Sequence, residues 1–315
     1  MKKRFFAMTM AALMAVTALT GCGGSSAESL DQLTFTYVTA PLNVPSIIEK
    51  EKGIFAKTFE DMGITVEYAE LTSGADQTQA LASGDVQVLY AVGATSVILS
   101  AANDADIKVL NMYSRSPKAF CMYAQDETLT TPESLRGKTI AGPVGTNLHE
   151  LLVSYLATAG MTLEDVNFVN MSIPEAKAAL DGGSIDVALM AGAAAYTAGL
   201  QGYHLVADGE GLIDAIIAVA VTDKFYNEHP EIIEKLEAAQ DEIAAFISEN
   251  EEEAMEIVAK TLDLDVSAVK EMSEYYNFST ELSDADKAGF QKTADFMFKN
   301  GMIEKELDVN TLFYE

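Results

Sequence analysis

The sequence predicts an α/β protein built as two similar lobes with a ligand cleft between them. Three observations lead there. From residue 33 onward short β-rich runs alternate with helical patterns, the order of an open α/β sheet. At residue 135 the same order of elements restarts. A shift of 99 positions lays "LASGDVQVLYAVGA" (81–94) over "LDGGSIDVALMAGA" (180–193), with Leu81 on Leu180, Gly84 on Gly183, Val88 on Val187, Gly93 on Gly192 and Ala94 on Ala193. Both copies read helix, glycine, apolar strand, Gly-Ala loop, although such punctuation is shared by many α/β units.

The chain opens with Lys2, Lys3 and Arg4 and continues through an uncharged apolar run over 5–19, the pattern of a secretory signal. Fifteen helical residues reach only about 22 Å, short of the roughly 30 Å hydrocarbon core, so a signal fits better than a spanning anchor. The run ends in "LTGC", which resembles the lipobox of bacterial lipoproteins. On that resemblance the signal is 1–21, Cys22 becomes the lipidated mature N-terminus, and 22–32 is a Gly/Ser-rich tether. An ordinary signal peptide with a stray cysteine is the plainer alternative. Lipid would hold the protein on the outer face of the cytoplasmic membrane.

Loss of the three basic residues of the signal, which contains no acid, takes the formal charge from −28 to −31. Such a field repels nucleic acid and anionic lipid head groups. With Cys22 lipidated, Cys121 is left without a disulfide partner, and in "KAFCMYA" it reads as a small buried residue.

Along the first lobe "LTFTYVTA" reads as a strand, "VPSIIEKEKGIF" as a helix closing near Gly53, "ITVEYAEL" as a strand, "DQTQALASG" as a helix ended by Gly84, and "VQVLYAVGA" as a strand. The restart gives "LRGKTIAGPV" as a strand and "NLHELLVSYLATAG" as a helix. In that helix Leu148, Leu151, Leu152, Tyr155 and Leu156 share one face and Gly160 supplies the stop. Strand, helix and strand follow in "NFVNM", "PEAKAALDGG" and "IDVALMAGA", then "HLVADG" and the buried strand "AIIAVAV". The remainder is helical and acidic; Ser283 with Asp286 caps the last helix and Gly301 stops it. The run Glu251, Glu252, Glu253 is a solvated first turn rather than a metal site.

Ligands of open α/β sheets sit outside the carboxyl ends of the strands. The loops there are 40–43, 72–75, 91–95, 143–147 and 190–193. They make Pro41, Leu42, Asn43, Ser73, Gly74, Gly93, Ala94, Thr95, Gly145, Thr146, Asn147, Met190 and Gly192 the candidate ligand contacts. In "GPVGTNLHELL" a glycine turn runs into a helix whose Asn147 and Glu150 have capping-box spacing, and free N–H groups there would accept an oxyanion. His149 lies on the first turn of that helix, within reach of a ligand. The lack of a following Gly-Lys-Ser/Thr excludes a phosphate P-loop. Hydrolase chemistry finds no support: His149, His204 and His229 lack metal-ligand spacing, and there is no Gly-x-Ser-x-Gly elbow. His204 and His229 read as surface residues. Tyr90, Tyr113, Tyr123 and Tyr196 lie near the cleft edge, where they either stack on ligand or join the core.

The segments "EKGIF", "QALASGDVQV", "ESLRGKTIAGPVGTNLHELL", "SIDVALM", "EHPEIIEK" and "FQKTADFMFKNGMI" resemble, in order and spacing, the extracytoplasmic solute-binding proteins of ABC importers, in the sulfonate, nitrate, taurine and thiamine-precursor group. The resemblance runs from residue 33 nearly to the end. It implies a type II periplasmic-binding fold, with lobe one as 33–114 plus 219–315 and lobe two as 115–218. It also implies crossings near 114–118 and 217–221, closure on a small solute, and delivery to an ABC permease with its ATPase. A monomer with no cofactor, no metal and no catalysis is expected. Where many relatives carry an aromatic and an acidic residue, this chain has Met190-Ala191-Gly192-Ala193, which removes stacking or amine pairing from that loop. The fungal thiamine-precursor synthases share the fold, but their cysteine cluster is missing. The ligand is expected to be a small anion such as a sulfonate, nitrate or carboxylate. The alternatives are a neutral pyrimidine-like thiamine precursor, or a sensing role without a permease. Arg115, in "YSRSPK" at the first crossing, would bind an anion with paired hydrogen bonds, or else pair with a carboxylate and stiffen the hinge.

Overall fold

The computed structural model describes residues 30–314; the signal, Cys22 and most of the tether lie outside the described residues. The chain begins with β1 (Gln32–Thr36), α1 (Val44–Lys52), α2 (Ile54–Glu60), β2 (Thr65–Ala69), α3 (Gly74–Ser83), β3 (Leu89–Gly93), α4 (Ala94–Ala102) and β4 (Lys108–Arg115). It crosses into β5 (Phe120–Ala124), β6 (Thr139–Gly142), α5 (Asn147–Ala157), β7 (Asn167–Asn170), α6 (Ile173–Asp181), β8 (Val187–Ala191), α7 (Gly192–Leu200) and β9 (His204–Asp208). It then returns as β10 (Ile216–Val221) and closes with α8 (Asp223–Glu228), α9 (Pro230–Glu249), α10 (Glu251–Leu262), α11 (Val266–Ser273) and α12 (Asp284–Lys299).

The two lobes share one topology. In the first, β1 is parallel to β2, a bridge from Phe35 to Val88 joins β1 to β3, and β10 lies antiparallel between β3 and β4. The spatial order is therefore β2–β1–β3–β10–β4. In the second the order is β7–β6–β8–β5–β9, with β5 antiparallel to both neighbours. Each lobe thus receives its fourth strand from the other lobe through a crossing. The 99-residue repeat is structural as well: Gly84 and Gly183 both end a helix in left-handed backbone (φ 83° and 67°), which favours glycine at both places. Gly93 then caps α4, and Gly192 opens α7.

Three expectations need correction. Gly53 (φ 62°) does close α1, but Ile54 immediately starts α2 with Phe55 and Phe59 fully buried. The Gly-Ala segments at 93–94 and 192–193 begin helices, so Ala94, Thr95 and Ala193 are first-turn residues rather than loop. The return crossing is 209–215 and not 217–221. Ile213 and Ala215 pack in the second lobe's core and Ile216 in the first, because Ile216 already pairs with Arg115 in the β10–β4 ladder. Lobe one therefore resumes at Ile216, three residues before position 219. The first crossing, Ser116 with the turn Pro117–Ala119, falls where expected.

Helices cover both faces of each sheet. In the first lobe α1, α2, α9 and α10 bury Phe35, Phe55, Ile232 and Leu236 on one face. On the other face α12 delivers Phe290, Ala294 and Met297. Burying Phe290 and Met297, at about 2 kcal/mol each, fastens the end of the chain to the lobe where it began. Ser283 and Asp286 form the expected capping box of α12, and Gly301 follows its end at φ 69°. Cys121 is buried in β5 and desolvation pushes its thiol up to about 12, so it is a packing residue. His229 is not a free surface group: it caps α9 and tilts against Phe225.

Candidate ligand cleft

The helices α1, α3 and α4 of the first lobe and α5 and α7 of the second all begin at strand ends facing the interlobe cleft. Their first N–H groups have no helical acceptor. Two close approaches bring the lobes together at these helix starts. A Cβ on Gly192 (φ 58°) would fall 1.8 Å from the Pro41 carbonyl oxygen, so only glycine lets these backbones meet. A Cβ on Gly93 would lie 3.8 Å from Asn147 Oδ1 and 3.5 Å from Thr95 Oγ1. The pair of contacts follows the lobes' approximate two-fold relation. The loop after β1 meets the start of α7, and the start of α5 meets the start of α4.

Among the described residues, the buried Thr95 hydroxyl, Ser116 hydroxyl and Asn147 amide oxygen find no hydrogen-bond partner. Each orphaned buried polar atom costs about 1–3 kcal/mol. Three of them along one cleft and its crossing mark groups suited to an outside partner. The N–H groups of Thr146 and Asn147 likewise meet no acceptor among the described residues. Gly145 differs from expectation, because its N–H is donated to His149 Nδ1 at 3.2 Å. That bond leaves the neutral ring's proton on Nε2. The ring is stacked on Phe168 with centroids 5.0 Å apart, and burial pushes its pKa below the ordinary histidine value. His149 therefore shapes the turn, and its buried Nε2–H, like the three groups above, meets no partner among the described residues.

The Asn147–Glu150 capping box does not form. Thr146 is the cap residue and its hydroxyl donates to the Pro143 carbonyl at 2.9 Å. The Glu150 carboxyl is buried and instead accepts from Thr293 Oγ1 of α12 at 2.9 Å, tying lobe two to lobe one. Burial raises its pKa to about 7, with Asp214 adding and the Thr293 bond and Lys292 opposing. A carboxyl raised to about 7 carries less negative charge near neutral pH, so it offsets less of the positive end of α5.

Several sequence-predicted contacts lie elsewhere. Leu42 and Met190 are fully buried in the lobe cores. Asn43 spends its amide on the Val38 and Ala40 carbonyls at 2.8 and 3.2 Å. Ser73 caps α3 by accepting from Asp76 N–H, and Gly74 makes room for Ser96. Tyr90 and Tyr113 join the first lobe's core, whereas Tyr123 and Tyr196 line an interlobe cavity. Arg115 is engaged inside lobe one, between β4, α12 and the segment before α12. Its guanidinium donates to both carboxylate oxygens of Asp286 at 2.7 and 2.6 Å and to the Ser279 and Glu281 carbonyls. No cationic side chain is among Gly93, Thr95 and Asn147, which lie together, or between Gly192 and Pro41, which meet across the cleft; Ser116 lies at the crossing. Ser116 escaped the sequence reading; a small polar residue before the crossing proline was its one signal.

A model described as NMT1/THI5 like matches residues 42–254. A Bacillus subtilis (strain 168) protein, provisionally named an aliphatic sulfonates-binding protein, is 27% identical over 297 residues, covering 92% of this chain and 89% of its own. The taurine-binding periplasmic protein of Escherichia coli (strain K12) is 29% identical over 199 residues, 60% of this chain and 58% of that one. Among solved structures, the alkanesulfonate-binding protein SsuA from Xanthomonas axonopodis pv. citri, bound to MOPS, superposes with a TM-score of 0.81 at 20% identity, covering 90% of this chain and 98% of that one. The two-lobe periplasmic-binding fold is thereby shared.

Proposed function

The chain belongs to the NMT1/THI5-like family, and from that premise we propose that it captures a small organosulfonate outside the cytoplasmic membrane and hands it to an ABC importer, catalysing no reaction. The observation that carries this reading is the set of unpartnered buried groups, Thr95, Ser116 and Asn147, between helix N-termini. A sulfonate offers three acceptor oxygens and no donor. Hydroxyls can donate to it, and the Asn147 amide, turned to present its NH2, can do the same. A helix N-terminus favours a buried anion by up to about 2 kcal/mol, so several together replace the missing cation. Sulfonate-binding relatives point to the same ligand class. Closure supplies the capture step, because the ligand binds the shut arrangement in which Asn147 meets Gly93 and Gly192 meets Pro41. Lipid at Cys22 would keep the protein at the membrane beside its permease.

A neutral ligand, such as an aminopyrimidine, is the second reading, favoured by the engagement of Arg115 elsewhere. Calorimetric titration separates the two. Ethanesulfonate is expected to bind, and Thr95→Val to weaken it about tenfold or more, the worth of a hydrogen bond to a charged group. Binding of a 4-aminopyrimidine with no response to any organosulfonate would reject the anion reading.

A further inference from the structure

The geometry points to a tail subsite for a one-ring organosulfonate in the mainly apolar cavity between α7, β5 and the end of α11, whose lining also includes Lys118. This rests on the sulfonate reading above and adds to it the chemistry of the ligand's organic part. The cavity measures about 220 Å³, and a cavity of about 150 Å³ lined by aliphatic and aromatic side chains already holds benzene. On α7, Gly192, Ala195, Tyr196 and Gly199 share one face, and three of the four are too small to fill the space. Tyr123 of β5 forms a second wall, and Tyr275 with Tyr276 of lobe one close it. A ring there would touch both lobes and be enclosed only when they shut.

The cavity adjoins the polar cleft. Phe120 pairs with Ala191 in the β5–β8 ladder, so the next residues, Ala119 and Gly192, form its inner end. Gly192 is the residue that meets Pro41 across the cleft. The Ala119 N–H bonds the carbonyl of Ser116 at 3.0 Å, and the Ser116 hydroxyl is one of the unpartnered groups. A sulfonate held there would send its organic part along α7. An aminoalkyl tail suits the space poorly, since no carboxylate lines it. The acids around it are engaged: Asp208, opposite Cys121 in the ladder, accepts from the Glu210 N–H at 2.8 Å, Glu210 pairs with Lys118 at 3.0 Å, and Glu271 accepts from the Tyr196 hydroxyl at 2.9 Å. A buried ammonium without a partner is costly, whereas a phenyl ring gains aromatic contacts. The Tyr276 hydroxyl is buried without a partner and strongly raised in pKa by desolvation, and it could donate to an acceptor on the ring.

The test is calorimetric titration of benzenesulfonate, ethanesulfonate and taurine against the full mature chain, Ala195→Leu and Tyr275→Ala. Benzenesulfonate should bind wild type at least about tenfold more tightly than ethanesulfonate or taurine. Ala195→Leu, which fills the cavity, should remove that advantage and leave ethanesulfonate within about threefold of wild type. Tyr275 is 49% exposed, so Tyr275→Ala keeps the fold and should weaken benzenesulfonate alone. Equal wild-type affinity for the three ligands, or equal weakening of benzenesulfonate and ethanesulfonate in both variants, overturns the tail subsite and leaves the sulfonate reading standing. Failure of all three to bind overturns both.

Discussion

Replacing Arg115 by Met should lower the melting temperature and leave ligand affinity unchanged. The guanidinium grips Asp286 with two bonds of 2.7 and 2.6 Å, and the Asp286 side chain is only 7% exposed. Removing one member of a buried pair costs about 3–5 kcal/mol because the other charge stays desolvated. Asp286 would retain the Ser283 N–H and hydroxyl at 2.8 and 2.6 Å, and the Ser279 and Glu281 carbonyls freed by the change could turn to water. The loss therefore falls at the lower end, about 3 kcal/mol, which in a chain of this size corresponds to roughly 6 °C. Thermal melts would read the stability and calorimetry the affinity. A melting point within about 1 °C of wild type, or an affinity loss above about tenfold, would refute this assignment and return the guanidinium to the cleft. The pH dependence gives a further check. Burial alone would raise the Asp286 carboxyl, but the Arg115 and Ser283 bonds hold it below the ordinary aspartate value. A depressed acid contributes stability above its unfolded pKa and loses it as pH falls through the folded one. The gap between wild type and Arg115→Met should accordingly narrow as pH drops below about 4.

The raised carboxyls act in the opposite sense. Burial takes Glu49 and Glu150 from 4.5 to about 7, so the folded chain holds protons that the unfolded chain has released, and each group lowers stability as pH rises through that window by up to about 1.4 kcal/mol per unit. Glu150→Gln should flatten the curve between these values in urea melts, and a slope equal to that of wild type would mean that Glu150 is ionised in the fold. Cys22→Ser should move the protein from the membrane pellet to the soluble fraction, since two acyl chains anchor firmly; retention in the pellet would count against lipid at Cys22.

Local periodicity carried most of the architecture. The α5 pattern, the two glycine stops at 84 and 183 and the Ser283–Asp286 box are short-range features, and each stands where its spacing put it. What escaped was set at a distance. Arg115 meets Asp286 across 171 residues of sequence and Glu150 meets Thr293 across 143, so neither role is present in the neighbouring residues. The starts of α4 and α7 were hidden for another reason. "GAAAYTAGL" has no polar face from which a helical period could be read, and its helicity follows from burial between β8 and the first lobe's α11. Of the proposed contacts, those that converge are backbone or small side chains near Gly93, Asn147, Pro41 and Gly192. The bulky ones, Leu42 and Met190, are claimed by the cores.

A chain with a formal charge of −28 is an unpromising trap for an anion unless repulsion and attraction differ in range. They do. Exposed carboxylates act through solvent, where the Debye length near 0.15 M salt is about 8 Å. The helix ends act on a ligand shut between the lobes, where water is displaced and dipoles are weakly screened. The repulsion therefore falls mainly on encounter, and the attraction on the closed complex, so affinity depends on how fully the lobes shut. That explains why small residues sit at the contact points. Gly192 against Pro41 lets backbone meet backbone of the opposite lobe, and Gly93 leaves room for the Asn147 side chain. With Gly192 enlarged, the lobes would stand apart, water would enter between the helix ends, and the donors of the two lobes could no longer reach the same oxyanion; Gly93, whose added Cβ would make only ordinary contacts at 3.5 and 3.8 Å, is the control expected to tolerate alanine.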